Sequence, residues 1–411
     1  MLASADERHA CGHCEPCLRR RSGQGEAILP DMATASRAVR SVPPGGCQGR
    51  TNIESNTTAG GGPPGEGEME TVQEIVVLGG GRQAVRHLAC YGKLREELGI
   101  GIAAVVDPAE DRRANCRAVL AAAGFDADSS RLVADLEHLD GTLDLDSTVV
   151  DVVVPTRLHY SLAAAASQMG ARHLIVEKPL AHSLEEAFRF LDLSGTVHVL
   201  ENYLFSAVTA TMLECLESLG SRPFFMRTEF SKDRRPDSSK GRGTSPGYVP
   251  HVFTVEMPHQ VAVANRMLGS VGHVVDAWDE DMVLPDGTLA GHGEGAIVLM
   301  HEGGVTSCHF SSLNGFRHRG ATHRTATVYC TDGARVRGRF ASTPDLRAGV
   351  EVFRNDRRIA SHDLTDDSLT RALGGSLEAF RRRQPGPNDV HFGIEVLRII
   401  DRGFQLAAEA R

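Results

Sequence analysis

The chain has 411 residues, 41% hydrophobic and 24% charged, the make-up of a globular protein with room for several domains. Its net charge of -9 argues against nucleic acid as the main partner, which would call for a basic footprint. No stretch approaches the ~18 consecutive apolar residues that a bilayer span requires, so no membrane partner is expected.

Residues 1–70 hold 11 Gly and 6 Pro and none of the 15 Phe, 5 Tyr and 1 Trp of the chain. Without aromatic side chains, a segment cannot bury enough apolar surface to offset its ordering entropy. It reads as a disordered extension, and Met32 and Met69 offer alternative starts. No apolar segment typical of a secretory signal follows Met1, so reduced thiols in a cytoplasm are the default expectation. Cys11, Cys14 and Cys17 sit at a metal-ligand spacing, but a fourth ligand is missing: position 21 is Arg, and no second C-x2-C pair follows. A thiol-rich tail, not a metal site, is expected there.

The body opens on Glu74–Leu78, a short β-branched run that reads as a buried parallel strand. Helical patterns follow at 83–98, 112–123 and 159–169, alternating with strand-like runs at 102–106, 149–154, 173–176 and 197–200. Strands alternating with helices make βαβ units, and so a doubly wound parallel sheet.

At the first strand–helix junction, Gly79-Gly80-Gly81-Arg82-Gln83-Ala84 fits G-x-G-x-x-A. Gly79 permits the tight turn, Gly81 leaves the backbone open to a pyrophosphate, and Ala84 lets helix and strand approach. The helix N-terminus offers free N–H groups to phosphate. Asp107 ends the next strand 23 positions beyond Ala84, near the offset at which a carboxylate meets the ribose hydroxyls. That carboxylate favours NAD and would repel the 2′-phosphate of NADP, although Arg112 and Arg113 follow a turn later.

The run Val150-Asp151-Val152-Val153-Val154-Pro155-Thr156-Arg157-Leu158-His159 precedes Ile175-Val176-Glu177-Lys178-Pro179-Leu180. Together with the glycine loop and His87, this pattern resembles the Gfo/Idh/MocA oxidoreductases, strongly to about residue 205 and weakly to about 405. The Glu-Lys-Pro run is the family's most specific motif. The resemblance implies a Rossmann domain at 71–198 and a substrate-binding and oligomerisation domain at 199–411, the latter α/β with an open, mainly antiparallel sheet. It also implies a homodimer or homotetramer. Pro155, Thr156, His159, Glu177 and Lys178 join the glycine loop, Arg82, Gln83 and Asp107 as expected cofactor contacts.

In the second half, strand-like runs occur at 224–230, 274–278, 296–300, 305–310, 326–330 and 350–353, with helical patterns at 368–382 and 390–408. Lys178 projects from a turn at the carboxyl end of a strand, where it can hydrogen-bond a reacting oxygen. His259 aligns with the family's histidine, but the family's aspartate four residues earlier is Val255 here. Glu256 is displaced by one residue, about 100° around a helix, and is the carboxylate available nearby to orient or charge His259. Lys178, His259 and Glu256 are therefore the expected catalytic set. Lys178, His259, Asn202 and Tyr203 are the expected substrate contacts. The polar run 231–247 reads as a loop over the site, and 316–320 as a basic solvated loop, with a grip on an anionic substrate group as its alternative role. The body has no H-E-x-x-H helix and no paired Cys motif, so no catalytic metal is expected.

The expected activity is NAD(P)-dependent hydride transfer on a sugar, polyol or cyclitol. The missing aspartate keeps two alternatives open: reduction of an imine or conjugated double bond, and a catalytically silent NAD-binding sensor or scaffold.

Overall fold

The computed structural model describes residues 74–411 apart from 142, 234–250, 284–286, 288, 314–321 and 343. The expected extension with its cysteine run, most of the loop at 231–247 and the basic loop at 316–320 lie outside the described residues.

The first sheet is built from β1 (Glu74–Leu78), β2 (Gly101–Val106), β3 (Arg131–Val133), β4 (Thr148–Val152), β5 (His173–Glu177) and β6 (Thr196–Leu200). Its order is β3-β2-β1-β4-β5-β6, with every pairing parallel. The order reverses beside β1, whose neighbours are β2 and β4. The carboxyl ends of the strands at such a switch point form the crevice where open α/β sheets hold ligands.

Helix α1 (Arg82–Leu98) buries Ala84, His87, Leu88, Tyr91 and Leu94, the i, i+3, i+4, i+7 stripe of an amphipathic helix. It ends at Gly99, whose left-handed φ of 58° lets its N–H return to the Arg95 carbonyl. Helices α2 (Glu110–Ala122), α3 (His159–Gln168) and α4 (Leu184–Arg189) complete the crossovers. Ser183 caps α4 by accepting from Glu186 N–H at 3.2 Å.

After α5 (Ala207–Leu219) the chain enters an eight-stranded sheet. Its strands are β7 (Pro223–Ser231), β8 (Val271–Val283), β9 (Leu289–His301), β10 (Thr306–Ser312), β11 (His323–Cys330), β12 (Ala334–Arg339), β13 (Arg347–Arg354) and β14 (Arg357–Thr365). The order is β14-β13-β12-β11-β7-β10-β9-β8. β7 and β10 run parallel, and the other pairings are antiparallel. A single helical turn, α6 (Val252–Val255), and then α7 (Met257–Leu268) follow β7. α7 buries Val261, Val263, Ala264 and Met267. Val263, Ala264 and Met267 share a core with Met226 and Phe230 of β7.

The last two helices return towards the first sheet. α8 (Ser368–Arg381) places Leu373, Leu377 and Phe380 in one core with Leu88, Tyr91 and Leu94 of α1. α9 (Val390–Glu409) contributes Ile394 to the core around β5 and β6, and Val396, Ile399 and Ile400 to the one beneath α6. Burying a side chain of this size contributes about 1.5–3 kcal/mol, so these helices tie the cleft-bearing ends of both sheets together.

Candidate active site

The glycine loop is built for a close backbone approach. Gly79 has φ 112°, and a Cβ on it would stand 2.3 Å from the Val153 carbonyl oxygen. Its N–H donates to Val106 O at 2.7 Å. A Cβ on Gly81 would meet nothing within 4 Å, and no side chain caps the N-terminus of α1. The N–H groups of that first turn thus face open space, as a pyrophosphate requires. Ala84 is buried behind them, while Arg82 and Gln83 are exposed.

Asp107 is almost fully buried at the end of β2. Its Oδ2 accepts from Gly80 N–H at 2.7 Å and its Oδ1 from Ala109 N–H at 2.8 Å. The Arg112 guanidinium stands 3.6 Å from Oδ2, and Arg113 donates to Asp107 O at 2.7 Å. A carboxylate has about four acceptor positions, so the bonds to Gly80 and Ala109 leave capacity for a ribose hydroxyl. This set of groups fits a dinucleotide.

Under the loop runs a chain of buried charge. His87 donates through Nδ1 to Asp151 Oδ2 at 2.8 Å and through Nε2 to Glu177 Oε1 at 3.0 Å. Both acceptors are carboxylates, so both ring nitrogens carry protons and the ring is an imidazolium. Burial alone would lower its pKa, but Asp151 and Glu177 lift it to about 10. Burial raises Glu177, but the bond to His87 and the charges of His87 and Lys178 bring it down to about 2. Tyr91 also donates to Asp151 Oδ2, at 2.9 Å, and Gln83 to Glu177 Oε1 at 3.4 Å. The network joins α1 to the ends of β4 and β5.

His159 braces two turns. Its Nε2 lies 2.9 Å from Val154 O and its Nδ1 3.0 Å from Pro179 O, and burial pulls its pKa below the usual value. It pins the Pro155–Thr156 turn to the Lys178–Pro179 turn, whose peptide bond is cis. Pro155 itself is exposed and Thr156 half-buried.

Lys178 reaches across to the second half of the chain, where its Nζ donates to Val255 O at 2.8 Å. Four residues on, His259 Nδ1 lies 2.7 and 2.8 Å from the two carboxylate oxygens of Glu201. A carboxylate only accepts, so Nδ1 carries the proton, and a neutral ring keeps its lone pair on Nε2. Lys178, Glu201 and Pro258 line one crevice, which places the lysine turn, the β6 end and the start of α7 together.

Glu256 is turned elsewhere. Its Oε2 is 3.3 Å from Arg324 Nη2, and it is 1% exposed. The chain breaks helical form between α6 and α7, with Pro258 in the first turn of α7, so Glu256 and His259 do not share one helix face. Tyr203 stacks edge-on against His259, with ring centroids 4.9 Å apart, and also packs on Phe230 and Phe340. Burial pushes its hydroxyl pKa up. Asn202 donates to Ser368 Oγ at 2.6 Å, which ties it to α8.

The sequence pointed to the neighbouring Asn202 and Tyr203 but not to Glu201 as the partner of His259. The usable signal was its position: a carboxylate directly after the apolar run 197–200, at the carboxyl edge of the sheet.

Comparison with known proteins agrees with this geometry. Residues 73–200 match the oxidoreductase family with an NAD-binding Rossmann fold, Gfo/Idh/MocA. A "Glycosyl hydrolase family 109 protein" of Streptomyces filamentosus is 31% identical over 167 residues, 40% of this chain and 30% of that protein. The chain therefore spans under a third of that relative's length. Among solved structures, an oxidoreductase from Agrobacterium radiobacter in complex with NAD+, L-tartaric acid and magnesium has a TM-score of 0.65 at 19% identity, covering 83% of this chain and 97% of that one. A levoglucosan dehydrogenase in complex with NADH has a TM-score of 0.65 at 18% identity, covering 82% and 97%. A 3-ketoreductase from Actinomadura kijaniata in complex with NADP has a TM-score of 0.65 at 15% identity, covering 81% and 97%. These neighbours share the two-sheet fold. Residues 73–200 thus resemble the NAD-binding Rossmann domain of the Gfo/Idh/MocA oxidoreductases, and the solved neighbours extend the likeness in fold to the second sheet.

Proposed function

We propose that this chain is an NAD(H)-dependent dehydrogenase that interconverts an alcohol and a ketone on a sugar, polyol or cyclitol. The observation that carries the reading is the Glu201–His259 pair, at 2.7 Å, beside the turn that bears Lys178. It supplies the carboxylate that this chain lacks at Val255, where the family pattern has aspartate, and so favours a catalytic role over a silent scaffold.

When bound, the nicotinamide supplies the hydride acceptor or donor. Gly79, Gly81 and the N-terminus of α1 would hold the pyrophosphate, and Asp107 would take the ribose hydroxyls. The carboxylate of Asp107 favours NAD over NADP. His259 Nε2 removes the hydroxyl proton of the substrate as its carbon loses hydride. Glu201 stabilises the imidazolium that forms. The Lys178 ammonium donates to the reacting oxygen and offsets its developing negative charge. Neighbours of this fold include a levoglucosan dehydrogenase and a 3-ketoreductase, which supports a sugar-like substrate.

The test is to titrate purified protein with NADH and NADPH by fluorescence, then to screen sugars, polyols and aminocyclitols for reduced-nicotinamide absorbance. Turnover with NAD that Lys178→Ala and His259→Ala both abolish is the expected result. Tight NADH binding with turnover only on imines, or on no substrate, contradicts the alcohol reading.

A further inference from the structure

A second cluster of ligating side chains lies where α6, β8, β9 and the end of α9 meet. Asp279 of β8 has a fully buried side chain. Its Oδ2 is 3.1 Å from His251 Nε2 and 2.9 Å from His292 Nδ1. One ligand atom from each residue lies within 4.8 Å of the other two. Ligand atoms around a tetrahedral zinc ion stand about 3.3 Å apart, which is close to the two distances to Asp279.

The backbone is bent to make this arrangement. His292 sits at φ 65°, a left-handed conformation that a non-glycine residue rarely adopts and that carries a strain cost. It lies where the β8–β9 register shifts, between the Glu280–Glu294 and Met282–Ala290 pairs. The rings of His251 and His292 stack at 4.6 Å, and Phe404 and Phe253 wall the His251 side. Two imidazole nitrogens thus converge on a single buried carboxylate oxygen.

We propose that His251, Asp279 and His292 form a binding site for a divalent transition-metal ion of the zinc, cobalt or nickel type. Two imidazoles and one carboxylate suit such ions and not magnesium or calcium, which take oxygen ligands. Arg411 controls access, because its Nη1 lies 2.8 Å from Asp279 Oδ1 and 3.0 Å from His292 Nδ1. The guanidinium occupies the charge position that the ion takes, so binding expels it. The proton balance is internal to the rings. His292 keeps its proton on Nε2, on a side chain 38% exposed to water. His251 moves its proton from Nε2, where it faces Asp279 at 3.1 Å, to Nδ1, and gives up the bond that Nδ1 accepts from Phe253 N–H at 3.1 Å. Both costs place the site below structural zinc centres in affinity. The bound ion fixes the start of the segment that runs through Val255 to His259.

The test uses the full chain with Cys11→Ser, Cys14→Ser and Cys17→Ser, so that this cysteine run contributes no thiolate signal. Cobalt(II) is titrated and the visible d–d absorbance recorded, with NADH binding as the check that each variant is folded. One cobalt per chain without a thiolate charge-transfer band is expected. His292→Ala, at a half-exposed position, loses that absorbance, and Asp279→Asn does the same. Arg411→Ala tightens binding by about tenfold, because a competing cation is removed. Equal cobalt absorbance in the parent and in His292→Ala overturns the site. So does weaker binding in Arg411→Ala.

Discussion

At the scale of the residue, the buried imidazolium of His87 is the group on which the cleft floor depends. Two carboxylates share it, so its loss leaves both buried without their main counter-charge. Breaking a buried ion pair from one side costs about 3–5 kcal/mol. His87→Gln is expected to lower stability by that order in urea unfolding at neutral pH. The sign of its pH dependence follows from a folded pKa of about 10 against 6.5 in the unfolded chain. The stabilisation is fully present below pH 6.5 and is lost as pH rises through about 10. The gap between wild type and His87→Gln therefore narrows from pH 6.5 to 10, and a gap that widens contradicts the imidazolium assignment. Part of this was legible in the sequence. A lone aspartate, Asp151, inside the run 149–154 signals a buried charge that needs a partner. Which residue supplies that partner was not legible, because it depends on how α1 lies across β4. The same limit hid the Glu201–His259 pair, whose members are 58 positions apart.

At the scale of the element, α7 carries His259 and is clamped to the second sheet at both ends. Gln260 lies between Thr228 of β7, at 2.6 Å, and Ser311 of β10, at 2.9 Å. From Thr228 the hydrogen bonds run through His309, Ser307 and His301 to Gly269 O, directly beyond the last residue of α7. Burial pulls His309 down to a pKa of about 3, so it is neutral in the folded protein at working pH. Gln260→Leu removes two buried hydrogen bonds, at about 0.5–1.5 kcal/mol each, while Thr228 keeps His309 and Ser311 keeps Phe230 O as partners. The expected outcome is a lower thermal midpoint together with a fall in kcat larger than the change in KM, while Gln260→Glu restores part of the kcat. A stability loss with kcat unchanged would mean that the clamp does not set His259.

Sequence patterns located most of the elements that build the fold, and the exceptions have physical reasons. β12 alternates Arg335, Arg337 and Arg339 with small or branched residues, so it lacks a continuous apolar run. β14 is an edge strand that is mostly exposed. β8 extends from Val271 to Val283, well beyond 274–278, because its acidic positions are solvated and mask the strand.

At the scale of the whole molecule, the second sheet has one face covered by helices and another that is not covered by them among the described residues. Register places Phe225 beside Tyr329, and Phe310 beside Ala296, which in turn pairs with Trp278. These aromatic residues share the outer face, and Trp278 is 37% exposed. An apolar patch of this kind on a sheet face is a common site of association. A homodimer or homotetramer through it is expected, with Trp278→Arg shifting the sedimentation mass towards the monomer. Since Trp278 is the only tryptophan, dilution of the wild type should also red-shift its fluorescence. A monomeric wild type at all concentrations contradicts this assembly. Among the described residues, no helix is long and apolar enough to cross a membrane.

We propose that Glu201, not Glu256, arms His259 for proton transfer beside Lys178. The most direct measurement is the single-turnover rate of hydride transfer in Glu201→Gln and Glu256→Gln, on the best substrate of the screen, with NADH affinity measured in parallel. A general base that has lost its orienting carboxylate forfeits about 10²-fold or more in rate. The expected result is a loss of that size in Glu201→Gln at unchanged NADH affinity, with a much smaller change in Glu256→Gln. A wild-type rate in Glu201→Gln, or the larger loss in Glu256→Gln, would contradict it.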